Sequence, residues 1–104
     1  MSKVEHPRPR HLLVRLEGPP LSRGELQDAL KARLRAAGWA GPPVRLTRYA
    51  WPHACLMVEH TGLPRLREVA PGDWGAVRVH TLRASGTLRA LTRGYPAVAV
   101  RPPP

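Results

Sequence analysis

The sequence predicts an α+β fold: one antiparallel sheet with helices on one face, in the order β-α-β-β-α-β. Three observations lead there. A strand-like run near the start gives way to a helix with a complete capping signal. Two extended segments are then separated only by Trp51-Pro52-His53, as in a hairpin. A second, shorter helix follows with a proline in its first turn, and another alternating segment comes after it.

Taken in order, residues 1–10 read as a flexible basic arm containing Pro7 and Pro9. Residues 11–17 (HLLVRLE) read as a mostly apolar, central strand, broken by Gly18-Pro19-Pro20. In Ser22-Arg23-Gly24-Glu25 the serine hydroxyl can accept from the Glu25 N–H while the Glu25 carboxylate reaches back. Leu26, Ala29, Leu30, Leu34 and Ala37 follow at helical spacing, and Gly38 is placed to end the helix in a left-handed conformation. Residues 44–50 alternate so that Arg45 and Tyr49 face outward, and residues 54–59 (ACLMVE) form its buried hairpin partner. Residues 62–70 make the second helix, stopped by Pro71-Gly72-Asp73. Residues 76–82 are the next strand, and residues 95–100 read as a last edge strand before a proline tail at 101–104. This order is the ferredoxin-like split βαβ sandwich, in a single domain over residues 11–100.

The 104 residues hold seventeen basic side chains against seven acidic, a formal charge of +10. Such a balance favours a polyanionic partner, most simply structured RNA or another nucleic acid. All but Lys3 and Lys31 of the basic residues are arginine, whose planar fork suits bidentate phosphate contact. The absence of Phe, Ile and Asn also fits drift toward GC-rich codons, which accounts for arginine over lysine but not for the shortage of acids. Scarce amides and proline-rich loops are a thermophile-like composition. Met1 to Arg10 lacks the apolar stretch of a signal peptide, and the longest apolar runs are too short to span a bilayer; a cytoplasmic location is expected.

Enzymatic groups do not converge. The five histidines are scattered along the chain, and none has a hydroxyl residue two positions on, as a two-histidine phosphoesterase would need. Glu25 is taken by the capping box. Cys55 lies inside an apolar strand as a buried, inert thiol, and a lone cysteine cannot form an internal disulfide. No catalytic residue, metal site or cofactor is expected.

The segment TLRASGTLRALTRGY (residues 81–95) is different, because its parts reinforce one another. Gly86 lets backbone approach a ligand, and Ser85 or Thr87 can cap a following helix whose first N–H groups attract phosphate. Arg83 precedes the corner, while Arg89 and Arg93 lie one helical turn apart after it. These residues, with Arg45, Arg48 and Tyr49 on the outward side of a strand, are the candidate RNA contacts.

With HLLVRLE, the capped helix, the hairpin and VRVHTLRASGTLRAL in place, residues 11–93 resemble the Pop-five family of protein subunits of ribonuclease P and ribonuclease MRP. The resemblance implies a ferredoxin-type sandwich and a non-catalytic role. In that family the RNA cleaves precursor tRNA, and the protein stabilises the catalytic RNA beside a second subunit of the Rpp-thirty kind. The competing reading is a ferredoxin-like interaction or small-ligand module that homo-oligomerises and has no RNA role.

Overall fold

The apolar alternation of the first strand dictates the layer that everything else packs on. In the computed structural model, which describes residues 8–99, β1 (Pro9–Glu17) occupies the centre of a five-stranded sheet. It begins two residues before the expected strand, so Pro9 and Arg10 belong to the sheet. Of the rest of the expected arm Arg8 is described, whereas residues 1–7 and the proline tail lie outside the described residues. Leu12, Val14 and Leu16 point to one face and are buried; His11, Leu13 and Arg15 point to the other.

Helix α1 (Arg23–Ala36) starts as its sequence requires. Ser22 Oγ accepts from the Glu25 N–H at 3.1 Å, and Glu25 Oε1 accepts from the Ser22 N–H at 2.9 Å. At the far end Gly38, at φ +67°, donates to the Arg35 carbonyl at 3.0 Å, and Trp39 donates to Leu34 at 2.9 Å. This is the paired closing pattern that a left-handed residue permits. Leu26 and Leu30 bury the inner stripe of the helix against the sheet.

Strands β2 (Arg45–Ala50) and β3 (His53–Glu59) form the hairpin, and β3 pairs with β1 along its length. A 3₁₀ turn (His60–Gly62) leads into α2 (Leu63–Val69), which carries Pro64 in its first turn. Strand β5 (Val77–Ser85) then lies on the other side of β1. All neighbours are antiparallel in the order β2-β3-β1-β5-β4, so β3 sits between β1 and β2, the two strands that α1 joins. This is an α+β fold of the split βαβ class.

Three expectations are corrected. Pro71-Gly72-Asp73, expected only as the stop after the second helix, leads into a short edge strand, β4 (Gly72–Trp74), paired with β5; its Trp74 is buried and donates from Nε1 to the Ala70 carbonyl at 2.7 Å. The expected C-terminal edge strand is instead helix α4 (Pro96–Ala99), preceded by the short helix α3 (Leu88–Leu91). The helices are therefore not confined to one face. α1 and α2 enclose the main core, while α3 and α4 cross the opposite face and close a smaller one made of Leu13, Cys55, Leu91 and Val98. The sheet could not leave this face bare, because Leu13 and Cys55 are apolar positions on its two central strands.

Two bulges set which residues reach that second face. Opposite β3, Leu46 pairs with Leu56 but Arg48 pairs with Cys55, so Thr47 is the additional residue. Opposite β1, Leu82 is additional in β5, and Arg83 pairs with Leu13. Each extra residue shifts the alternation by one.

Candidate functional site

The expected outward pair on β2 is Arg45 and Tyr49, but the bulge at Thr47 separates them. Beyond it Arg48 takes the second face beside Cys55, and Tyr49 turns to the main core, where its hydroxyl donates to the Leu21 carbonyl. Burial raises the Tyr49 pKa above its ordinary 10.0. Tyr49 is thereby a packing residue, whereas Arg45 and Arg48 share one face.

The Ser85-Gly86-Thr87 corner ends β5 and launches α3. Ser85 Oγ accepts from the Thr87 N–H at 3.3 Å, and Thr87 Oγ1 caps α3 by accepting from Ala90 at 3.2 Å. α3 has only four residues, and two N–H groups at the corner already have partners. The macrodipole of a single turn adds little attraction for phosphate, so the cationic character of this region comes from its guanidinium groups. A Cβ at Gly86 would stand 3.2 Å from Arg10 Nη1, which places a further arginine at the corner. Arg10 was hidden from sequence reading because it falls where an arm was expected.

Arg83 behaves unlike the other candidate contact arginines, and resembles Arg33, which donates to the Val69 and Pro71 carbonyls at 3.0 and 2.9 Å. Its Nε donates to the Leu91 carbonyl at 2.9 Å and its Nη2 donates to the Arg93 carbonyl. Its guanidinium carbon also lies 5.2 Å from the centre of the Tyr95 ring, which meets His53 edge-on at 4.9 Å. One side chain of the sheet thus fastens the end of α3 and the link from it to α4.

Arg89 on α3 and Arg93 beyond its end do not share a continuous helix face, yet they reach the same place. With Arg48 of β2 they line an open groove of about 470 Å³, completed by Leu88, Thr92 and Ala99. Among the described residues none of these three arginine side chains makes a hydrogen bond or an ion pair. By contrast Arg78, on the same face of the sheet, is paired with Asp73 at 3.2 Å, and Glu17 is held by His80 at 2.9 Å. The hydrogen bond from His80 and then its charge lower the Glu17 pKa.

A second groove of about 510 Å³ lies along the other end of β2, with Arg45 and Glu59 among its lining. His11 stands on the same face of the sheet at 7% exposure, opposite Ser85 and Met57, with Nδ1 buried and unpartnered. Burial and the nearby Arg48 charge lower its pKa below 6.5. Burial likewise pushes the Cys55 thiol up to about 11, so the thiolate is scarce at neutral pH. Trp39, Trp51 and Trp74 all pack in or against the main core.

Among the described residues there is no cluster of three potential metal ligands, and no helix is long and apolar enough to cross a membrane. Neither the family models nor the curated proteins compared with this chain give a match.

Proposed function

We propose that this chain binds structured RNA as a non-catalytic subunit, of the kind its resemblance to the Pop-five family of ribonuclease P implies. The observation that carries the reading is the groove of Arg48, Arg89 and Arg93: three guanidinium groups that, among the described residues, have no side-chain hydrogen-bond or ion-pair partner and no acid in their lining. Holding like charges together is unfavourable unless an anion joins them, and a phosphodiester backbone supplies anions at a matching density. Arg45 extends the basic surface along β2. Ser85, Gly86 and Thr87 contribute by placing α3, and with it Arg89, over the sheet. The strand order β2-β3-β1-β5, with α1 and α2 as crossovers, supports the finer assignment to the ferredoxin-like sandwich, β4 being an added edge.

The test is fluorescence anisotropy of a labelled RNA hairpin at increasing salt. Neutralising about four phosphates gives a log–log slope of roughly −3 to −4. Arg48→Gln/Arg89→Gln/Arg93→Gln should make it shallower by about 2 to 3. Undiminished binding by the triple variant would refute this site. Added to a ribonuclease P RNA, the protein should raise cleavage of precursor tRNA while cleaving nothing alone; cleavage by the protein alone would refute the non-catalytic role.

A further inference from the structure

The second groove offers a different chemistry from the arginine groove. Its walls are rings and a thioether, from Pro9 of β1, Pro42 and Pro43 of the loop before β2, and Met57 of β3. Val58 and two charged residues, Arg45 and Glu59, complete it. Among the described residues Arg45 has no ion pair, and Glu59 has only a long contact, 4.0 Å from Oε1 to His60 Nδ1. The groove therefore combines flat apolar surface, one cation and one carboxylate acceptor.

Its position relative to the arginine groove is set by the bulge at Thr47. Arg45 lies opposite Met57 and Arg48 opposite Cys55, two positions apart on β3. At strand rise this is about 7 Å, a span that one nucleotide step bridges. A strand of RNA whose phosphates contact Arg48 and then Arg45 carries its next base to the proline and methionine walls.

We propose that this groove is a subsite for one unstacked nucleobase of the bound RNA, with guanine the base it fits best. The inference rests on the RNA-binding reading above. Unstacked bases are recognised by apolar stacking together with hydrogen bonds to their edges. Proline rings and the polarisable thioether of Met57 receive the face of the base. Glu59, ionised, only accepts hydrogen bonds. Guanine presents its N1–H and exocyclic N–H side by side, matching two carboxylate oxygens; adenine and cytosine offer an amine alone, and uracil a single ring N–H between two carbonyls. Arg45 pairs with the phosphate that flanks the inserted base.

Met57 is one of only two methionines in the chain, so methyl-¹³C methionine labelling gives a reporter inside the groove. Its signal is identified by its loss in Met57→Leu. The full-length protein is titrated with the 5′-labelled heptanucleotides UUUGUUU and UUUUUUU, followed both by anisotropy and by the methyl spectrum. The expected result is an upfield ring-current shift of the Met57 methyl that saturates with the anisotropy curve. Preference for the guanosine oligomer should be roughly fivefold to tenfold. Glu59→Gln should keep the methyl shift and reduce that preference to near unity.

Binding by anisotropy with an unmoved Met57 methyl would overturn the subsite and leave the RNA reading standing. Absence of binding by either measure, with these oligomers and with the hairpin, would overturn both. A Met57 shift that grows with protein concentration in the absence of RNA would assign the groove to a second copy of the chain. Retained guanosine preference in Glu59→Gln would remove Glu59 from the assignment and overturn the guanine fit.

Discussion

Replacing Arg83 by methionine separates two roles that an arginine in this segment could have. The substitution keeps an unbranched stem and removes every donor. Lost with the guanidinium are the bonds to the Leu91 and Arg93 carbonyls and the contact with Tyr95. A hydrogen bond from a charged donor contributes about 1.5–3 kcal/mol, and the partial exposure of Arg83 puts the Leu91 bond near the lower end. The exposed bond to Arg93 and the stacking on Tyr95 add about half of that between them, so the loss should be roughly 2 kcal/mol. In a domain of 104 residues this lowers Tm by about 8–10 °C.

The same variant should loosen the C-terminal crossing before the whole domain unfolds. Cys55 is 0% exposed and shares the smaller core with Leu91 and Val98, so its reaction with Ellman's reagent reads the opening of that crossing. A loss of about 2 kcal/mol there raises the labelling rate roughly thirtyfold at constant pH. Arg83→Lys, which offers one point charge in place of a fork, should fall between wild type and Arg83→Met. RNA affinity should fall less in Arg83→Met than in Arg48→Gln. The reasoning is refuted if Arg83→Met leaves Tm and Cys55 labelling unchanged while abolishing RNA binding, since Arg83 would then be a contact and not a fastening.

Ser22→Ala removes the acceptor for the Glu25 N–H and should cost about 1 kcal/mol in urea unfolding; Ser22→Asp should recover most of it. Because burial and then Arg48 depress the His11 pKa below 6.5, the unfolded chain binds more protons than the folded one just below that pH. Stability should therefore fall as pH drops from 6.5 to the folded-state value and be insensitive to this group well above 6.5. His53 is also lowered by burial and acts with the same sign, so thermal melts of His11→Gln/His53→Gln should show a flatter pH profile than wild type. Leu91→Ala opens a cavity in the smaller core and should cost about 2–4 kcal/mol, with Cys55 labelling accelerated as in Arg83→Met.

The parts legible in the sequence are those decided within one turn of chain. Ser22 with Glu25, and Gly38 after Ala37, specify both ends of α1 through local hydrogen bonds, and they appear as read. The order of the major strands followed from apolar runs and punctuation in the same way. What could not be read depends on partners far along the chain. Residues 95–100 hold a short apolar run that satisfies either strand or helix, and the outcome rests on Val98 finding Leu13 and Cys55 across the sheet. Pro71-Gly72-Asp73 has the composition of a turn, but Gly72 and Asp73 acquire ladder partners in Val79 and Arg78. For the candidate site, the arginines after the corner were visible as a cluster. Their convergence with Arg48, more than forty residues earlier, was not, since it needs both the C-terminal crossing and a bulge that alternation alone cannot reveal.

That bulge bears on how this chain should be compared with others. Thr47 adds one position to β2 without lengthening its partner, so the residue count from Leu46 to the end of the hairpin does not fix which side chains face the arginine groove. A relative with an ordinary ladder here would be one residue shorter, and its groove arginine would stand immediately after the position equivalent to Leu46. An ungapped comparison would set that arginine against Thr47 and score a shared contact as lost. Deleting Thr47 from this chain should have the matching outcome, with Arg48 still on the groove side and Tyr49 still inward. A deletion one residue further on would remove the cation itself.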